Sequence, residues 1–305
     1  MNTDRPLLGI ALMLGFCLLA PFADALAKLL GPHLPVGQLV TLRFVIQAMI
    51  LVPVTLVTGR AWRMSWHLLA LVGLRTVLHI AGIATMFTSF LYLPLADAIA
   101  IAYVMPFILL LLGHLMLGET VGARRLWACI VGFAGSLMVI QPAFDDVGAP
   151  ALLPLAVAVI FALFMLVTRR IAPHTDPIGM QAVSALMAVA LLAPLMALVP
   201  AALPGMGWVP PKADIWALIL AMGVAGTAAH LLLTWSLRFA PASTLAPMQY
   251  LEIPIAAAVG LAIFGDLPGP LAGVGIVITV CAGLYIVMRE RTIAKALPQA
   301  QQEVP

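Results

Sequence analysis

Charged residues are scarce in this sequence. Asp, Glu, Lys and Arg make up 9% of the 305 residues, whereas about 25% is usual in soluble domains. Hydrophobic residues make up 64% of the chain, and the mean hydropathy is +1.14. A chain with so few charges has too little polar surface to face water. These values therefore exclude a soluble globular domain and indicate an integral membrane protein.

Motifs that would carry enzymatic chemistry are also missing. The sequence contains no G-x-x-x-x-G-K-[ST] loop for ATP and no G-x-S-x-G serine motif. Cys17, Cys129 and Cys281 are single residues in separate apolar segments, and no His, Cys, Asp or Glu group has metal-site spacing. We therefore predict no catalytic residue, no cofactor and no metal. A membrane-embedded enzyme acting on a lipid or peptide is the alternative function.

Long apolar segments fill most of the chain. A spanning helix needs about 20 mostly apolar residues, and Pro, Gly or charged residues divide the sequence into ten segments of about that length. The loops between them are too short for a soluble domain, and residues 291–305 are predicted to be a disordered cytoplasmic tail. The predicted spans are 7–30, 36–58, 67–89, 95–117, 123–141, 151–170, 177–200, 213–237, 243–264 and 269–288.

The distribution of Lys and Arg predicts the orientation, because positive residues near span ends are retained on the cytoplasmic side. If the chain starts inside, the outer loops hold only Lys28 and Lys212. The inner set is Arg5, Arg60, Arg63, Arg124, Arg125, Arg169, Arg170, Arg238, Arg289, Arg291 and Lys295. Both termini are therefore predicted to be cytoplasmic. The positive net charge reflects this orientation in the membrane, and we predict no nucleic-acid partner. The first segment also resembles a signal peptide with a cleavage site near Ala27, an alternative that the polar Asp24 disfavours.

A shift of 147 residues aligns two halves of the chain. Proline and glycine markers coincide in one order: Pro94 with Pro241, Gly118-Glu119 with Gly265-Asp266, and Gly122 with Gly269. The predicted halves are residues 1–146 and 147–290, with five spans each. Because five is odd, the second half enters the membrane in the opposite sense, which predicts inverted repeats. Small residues on spans five and ten predict close packing within the chain or a homodimer: Ala128, Gly132 and Ser136, and Gly275, Thr279 and Gly283.

Three stretches carry a family resemblance. They are LVTLRFVIQAMILVPV on span two, SFLYLPLADAIAIAYVMPFILLLLGHLMLGETVGARRLWACIVGFAGSLMVIQP on spans three to five, and STLAPMQYLEIPIAAAVGLAIFGDLPGPLAGVGIVITVCAGLYIVM on spans nine and ten. On these residues the chain resembles the drug/metabolite transporter superfamily, in its ten-span EamA-type branch, although Asp266 stands where Glu is common.

What this resemblance implies is a bacterial inner-membrane transporter of all-α fold, with ten transmembrane helices. Such a protein moves a small organic metabolite by alternating access and has no ATPase of its own. The region of spans four and five looks most like bacterial members that carry S-adenosylmethionine or riboflavin.

Polar residues at bilayer depth are the predicted substrate site. Arg43 and Arg75 are the Lys and Arg residues that fall deep inside predicted spans, and an Arg at a helix centre costs about 2.5–3.5 kcal/mol on insertion scales. We predict that an anionic or zwitterionic substrate binds these arginines, and that Glu252 binds an amine or a proton. Spacing and depth extend the predicted substrate-binding set to Arg43, Gln47, Arg75, His79, Tyr103, Gln249, Tyr250 and Glu252.

Proton coupling is predicted for Glu252, His79 or Asp24, because buried ionisable groups serve as proton relays in transporters. A passive facilitator is the alternative mechanism, and the sequence leaves the direction of transport and the substrate open. A purely structural role is the alternative for the charges themselves: Arg75–Glu252 or Arg43–Asp24 ion pairs would tie helices together without touching substrate.

Overall fold

The structure is a computed structural model that describes residues 5–118, 122–139, 148–198, 205–265, 269–271, 273–278, 280–282, 284–285 and 288. Its regular elements in these ranges are helices, which confirms the all-α prediction. They are α1 Pro6–Leu30, α2 Val36–Val57, α3 Trp66–Ser89, α4 Leu95–Ala102, α5 Met105–Leu117, α6 Ala123–Val139, α7 Leu152–Ile171, α8 Pro177–Leu198, α9 Trp216–Phe239, α10 Ala242–Gln249 and α11 Glu252–Phe264. Short 3₁₀ turns lie at Ala149–Ala151, Ala172–His174 and Ala213–Ile215.

Seven helical segments in the described chain are long and apolar enough to cross a membrane. They are Pro6–Leu30, Val36–Val57, Trp66–Ser89, Leu95–Met116, Leu152–His174, Pro177–Leu198 and Ala213–Phe239. Shorter apolar helices correspond to the predicted spans five, nine and ten: Leu126–Gly135, Glu252–Phe264 and Gly273–Ala282. The chain is therefore a multi-pass helical membrane protein, whereas the full count of ten spans stays a prediction.

The surface and the interior are inverted relative to a soluble protein. Large apolar side chains such as Val57, Trp66 and Leu198 are more than four-fifths exposed, whereas Arg43, Arg75 and Glu252 are buried. Apolar side chains on the outside suit contact with lipid, and ionisable side chains at depth face the helix bundle. The prediction that Arg75 and His79 point into the bundle is confirmed, because both are fully buried.

Predicted spans four and nine are each divided into two helices. The first breaks at Tyr103-Val104 between α4 and α5, and the second at Tyr250-Leu251 between α10 and α11. Pro106 and Pro254 explain the breaks, because proline has no N–H to bond the carbonyl four residues earlier. After each break the helix ends at a glycine in the left-handed region, Gly118 or Gly265, which favours residues without a side chain.

Helix lengths repeat between the two halves. The helices α2 and α8 both have 22 residues, and α3 and α9 both have 24. The broken helices have 8 and 13 residues in both halves, and their bounds differ by the same 147 positions that align the prolines. The packing follows the same symmetry, since α1 packs on α9, α3 packs on α7, and α2 packs on α8. The contact pattern is thus preserved when the halves are exchanged.

The small-residue faces predicted for a homodimer are turned inward in this chain. Ala128 and Gly132 on α6 are buried, and Gly132 packs against the ring of Tyr250. Gly275 is buried as well. Thr279 and Gly283, the side chain of Ser136 and the predicted tail 291–305 lie outside the described residues. The described part of these faces therefore packs within one chain, and a homodimer stays a prediction.

Candidate substrate cavity

A cavity lies among α1, α2, α3, α4, α5, α7, α9 and α11, so both halves of the chain contribute to its wall. Its volume is about 750 Å³ when the open side is included. The polar lining consists of Asp24, Arg43, Tyr103, His230 and Glu252. Much of the apolar lining is aromatic: Phe16, Phe87 and Phe161.

Arg43 supplies the cation of the cavity from the middle of α2. One guanidinium nitrogen, Nη2, donates to the carbonyl of Gly226 on α9 over 3.4 Å. The other, Nη1, is buried and has no hydrogen-bond partner among the described residues. A β-carbon at Gly226 would stand 2.7 Å from Arg43 Nε, so the absent side chain makes room for the guanidinium. Arg43 Nη1 is therefore a buried charged donor that the described part of the chain leaves without an acceptor.

Glu252 supplies an anion where the second broken helix resumes. It is the first residue of α11, a position where the helix dipole favours negative charge. The hydroxyl of Tyr103, which sits in the break between α4 and α5, donates to Glu252 Oε2. Both side chains line the cavity. The two helix breaks, one from each half, thus place an acid and a phenol together at the cavity wall.

Asp24 adds a second carboxyl from α1. It lines the cavity, and electrostatic interactions link it to Arg43 and to Glu252. In the described part of the chain, the ion pair with nitrogen and oxygen within 4.0 Å is Arg60–Asp176 on the surface, at 2.9 Å. Neither Arg43–Asp24 nor Arg75–Glu252 therefore forms such a pair. The two ion pairs that a purely structural role for these charges would require are therefore not formed in this structure.

His230 lines the cavity and contacts His79 behind it. Their Nε2 atoms are 3.4 Å apart, and the ring centroids are 4.2 Å apart. Neither Nδ1 has a partner among the described residues. Only one of the two facing Nε2 atoms can donate a hydrogen bond to the other. One ring must therefore carry its proton on Nε2, and the Nε2 atom of the other ring must accept. His79 therefore reaches the cavity through His230, and not directly.

Arg75 lies outside the cavity lining, in a buried polar cluster that joins four helices. Its Nε donates to Thr168 on α7 over 2.9 Å, and its Nη1 donates to Ser184 on α8 over 3.1 Å. Longer bonds of 3.4 Å and 3.5 Å reach Gln181 on α8 and Thr234 on α9. The guanidinium also stacks over Phe164, with 4.6 Å between its carbon and the ring centroid. We call Arg75, Thr168, Gln181, Ser184 and Thr234 the Arg75 cluster.

The remaining predicted ligands also lie behind the cavity wall. Gln47 donates to the backbone and side-chain oxygens of Gln181. Gln249 donates to the sulfur of Met165 over 3.3 Å, and its Oε1 has no partner among the described residues. Tyr250 is fully buried, 6.0 Å from the ring of Tyr103 between centroids. The structure thus brings Asp24, Arg43, Tyr103 and Glu252 to one cavity and places Gln47, Arg75, His79, Gln249 and Tyr250 outside its lining.

The residues predicted from the sequence did not include His230. In the structure His230 lies well inside α9, four residues after Gly226, and both residues line the cavity. The signal was present as a small and a polar residue one helical turn apart on the same face. The aromatic wall gave no local signal, because a phenylalanine in an apolar span looks the same whether it faces lipid or a cavity.

A cavity with charged walls, enclosed by membrane-length helices from two similar halves, defines the chain as a polytopic membrane protein of transporter type. The chain belongs to the EamA-like transporter family, whose model matches residues 7–141 and 149–289. This result confirms the predicted resemblance to the drug/metabolite transporter superfamily.

Curated relatives and solved structures agree with this assignment. The chain is 26% identical to a riboflavin transporter of Vibrio cholerae over 86% of its length and 88% of the relative. It is 24% identical to an S-adenosylmethionine uptake transporter of Rickettsia prowazekii over 91% of its length and 92% of the relative. A crystal structure matches with a TM-score of 0.71 at 20% identity, covering 91% of this chain and 94% of the other, which shows the same fold. The two relatives are named as transporters and not as enzymes.

Proposed function

We propose that this protein is a secondary transporter that carries a small polar or zwitterionic organic metabolite across a bacterial inner membrane. The observation that carries the proposal is the meeting of Arg43 with Asp24 and Glu252 around one cavity between the two halves. Relatives that are named as carriers of riboflavin and S-adenosylmethionine support a substrate of this size and polarity. The proposed mechanism is alternating access, in which one half rocks against the other around the central site.

The proposed topology is a pair of inverted five-helix halves, residues 1–146 and 147–290, with a cytoplasmic tail at 291–305. Both termini lie in the cytoplasm. The equal helix lengths and the exchangeable packing of α1 on α9 and α3 on α7 support this arrangement. Helices that pack in this exchanged pattern suit a twofold relation between the halves, and an odd number of spans makes that relation an inversion in the membrane.

The energetics of Arg43 support a role in binding. An arginine at a helix centre costs about 2.5–3.5 kcal/mol on insertion scales, and a buried donor without a partner adds about 1–3 kcal/mol. Arg43 Nη1 is such a donor in the described chain. A purely structural arginine would have its donors satisfied, as those of Arg75 are by hydroxyl and amide oxygens. A carboxylate on the substrate would satisfy Arg43 only when the site is occupied.

The predicted ligands that lie behind the wall are retained in the proposal. In alternating access the walls rearrange, so residues buried in one state line the cavity in the other. Gln47, Arg75, His79, Gln249 and Tyr250 are proposed to contact substrate in that other state. For proton coupling, Glu252 and Asp24 are the proposed carboxyls, and His79 acts through its contact with His230.

Transport by the purified full-length chain in liposomes tests the proposal. The panel is radiolabelled methionine, S-adenosylmethionine and riboflavin, measured as counterflow against the same unlabelled compound. We expect flux of at least one compound above empty liposomes, and at least a tenfold loss of that flux in Arg43→Gln, because a hydrogen bond to a charged group contributes about 1.5–3 kcal/mol.

Arg60→Gln is the matched control, since it removes a surface arginine whose partner is Asp176 and which does not line the cavity. Its flux should equal that of the wild type. Flux of no panel compound, or equal flux in Arg43→Gln and the wild type, would overturn the proposal.

A further inference from the structure

The charges on the cavity wall distinguish among the metabolites that this family of proteins carries. Arg43 contributes one positive charge, and Asp24 and Glu252 contribute two negative charges when both are ionised. We infer that the cavity selects an α-amino acid that bears a second positive centre on its side chain. This inference rests on the proposed transport function and narrows its substrate class.

The α-carboxylate of such a ligand fits Arg43. Its Nη1 is a buried charged donor with no partner among the described residues, while Nη2 is held by the Gly226 carbonyl. Charge-assisted hydrogen bonds to carboxylates are stronger than bonds between neutral groups. Gly226 provides the space for this guanidinium. The protein therefore fixes the position of the guanidinium, and the Nη1 donor can bond to the ligand.

The α-ammonium group fits Asp24. In an α-amino acid both charged groups are attached to one carbon, so their partners on the protein must lie near each other. Asp24 and Arg43 line the same cavity and interact electrostatically, yet they do not form a direct ion pair within 4.0 Å in the described chain. The zwitterionic head group of the ligand would then bridge the two side chains.

The second positive centre fits Glu252 and its surroundings. Tyr103 donates to Glu252 Oε2, which keeps that oxygen an acceptor and orients the carboxyl at the cavity wall. The rings of Phe16, Phe87 and Phe161 line the same space. Carboxylates and aromatic faces both attract cations. The sum of charges is then zero in the occupied cavity, with two positive and one negative group on the ligand against one positive and two negative groups on the protein.

A neutral flavin does not meet this condition. Riboflavin has no carboxylate for Arg43 and no cation for Asp24 or Glu252, so its entry would leave these side chains without charged partners in a low-dielectric cavity. Desolvated charges without partners are costly in such surroundings. S-adenosylmethionine, in contrast, carries a carboxylate, an ammonium group and a sulfonium group. Of the two substrates named for the relatives, the cavity charges therefore favour the second.

Binding of three probes to the purified full-length protein tests the inference by titration calorimetry. S-adenosylmethionine carries the second positive centre, S-adenosylhomocysteine lacks it with nearly the same shape, and riboflavin is uncharged. We expect S-adenosylmethionine to bind about 2- to 30-fold more tightly than S-adenosylhomocysteine, because the sulfonium group attracts the carboxyl and the aromatic faces as a cation without donating a hydrogen bond. Riboflavin should bind more weakly than either.

Single variants test which side chain binds each charged group of the ligand. Glu252→Gln should remove the difference between the two adenosyl compounds, and Arg43→Gln should weaken both by the same factor. Arg60→Gln should leave all three affinities unchanged. The wild-type comparison of the two adenosyl compounds needs no variant, so the inference remains testable if Glu252→Gln does not fold.

The outcomes separate this inference from the transport proposal. Riboflavin or S-adenosylhomocysteine binding as tightly as S-adenosylmethionine would overturn the inference. If riboflavin is also transported, and Arg43→Gln abolishes that flux, the transport proposal stands although the inference about the substrate is overturned. If none of the three probes binds and none is transported, both are overturned.

Discussion

At the scale of single residues, Arg43 depends on the missing side chain of Gly226. The guanidinium lies against the backbone of α9, and a β-carbon there would stand 2.7 Å from its Nε atom. The bulk of Arg43 on α2 is thus matched by a glycine on α9. A methyl group at this position would have to displace the charged group on which the proposed binding depends.

Gly226→Ala is therefore expected to lower substrate affinity about tenfold or more, and to lower the unfolding free energy by about 1–3 kcal/mol through overpacking. Titration calorimetry and thermal unfolding of the purified protein measure the two effects. Gly73→Ala is the matched control, because Gly73 is also helical and its β-carbon would meet nothing within 4 Å. Equal substrate affinity in Gly226→Ala and Gly73→Ala would contradict the claim that binding depends on the position of Arg43 against Gly226.

Tyr103→Phe removes the hydroxyl that bonds Glu252 and leaves the ring in place. Because this bond is made to an acidic group, its loss is expected to lower the unfolding free energy by about 1.5–3 kcal/mol. Substrate binding should also weaken, because Glu252 would no longer be held in its orientation at the cavity wall. Counterflow in liposomes and direct binding measure the effect. Tyr92→Phe is the control, since Tyr92 is 56% exposed and does not line the cavity. A Tyr103→Phe protein with wild-type affinity would contradict the assigned role of this hydrogen bond.

At the scale of helices, the Arg75 cluster holds α3, α7, α8 and α9 together. Its members lie in the first half of α3 and α8 and in the last turns of α7 and α9. Two of the matching positions on the other side of the fold lack these groups. Aligning α3 with α9 by their equal lengths sets Ala225 opposite Arg75 and Ala84 opposite Thr234. The fold therefore repeats its helices but not this polar cluster.

Arg75→Met is expected to destabilise the protein by about 3–5 kcal/mol, because buried hydroxyl and amide groups lose a charged donor. Thermal unfolding in detergent measures the loss. A double-mutant cycle with Ser184→Ala should give a coupling energy of about 0.5–3 kcal/mol, since the two side chains are in direct contact. Additive effects in the cycle would contradict the 3.1 Å hydrogen bond between them.

Helix positions were predictable from the sequence, whereas the polar contacts between helices were not. The first predicted span, 7–30, matches α1 at Pro6–Leu30, because apolar length and flanking Pro and Gly are local features. The breaks after Ala102 and Gln249 followed from Pro106 and Pro254. The partners of Arg75 did not follow, since Thr168, Ser184 and Thr234 are ordinary small residues in three other spans. Their meeting depends on how each helix is rotated, which no local pattern records.

At the scale of the whole molecule, the cavity and the Arg75 cluster lie on opposite sides of the membrane in the proposed topology. The cavity is lined by residues late in α1 and α3 and early in α7, such as Asp24, Phe87 and Val157. With both termini in the cytoplasm, these positions belong to the outer half of the bilayer. The Arg75 cluster then lies in the inner half, and we expect it to close the path to the cytoplasm.

Labelling of a cavity cysteine tests this arrangement. Met86→Cys, in a Cys281→Ala background, is expected to react with a membrane-impermeant maleimide added from outside, because Met86 lines the cavity and is partly exposed while Cys17 and Cys129 are buried. Adding Arg75→Met should decrease this labelling and increase labelling from the cytoplasmic side. Labelling from the cytoplasm alone in the Arg75-containing protein would place the opening on the wrong side.

A polar cluster on only one side has a kinetic consequence for the empty carrier. If the Arg75 cluster stabilises the outward-facing state by about 3 kcal/mol, the inward-facing state is populated roughly 100-fold less. Substrate arriving from outside then meets a binding-competent protein almost every time, whereas substrate arriving from the cytoplasm must wait for a rare state. One binding site would thus show two apparent dissociation constants, about 100-fold apart across the membrane. Influx would then saturate at a much lower substrate concentration than efflux, whereas at low concentration the two fluxes would be equal and the final distribution of an uncoupled substrate would be unchanged.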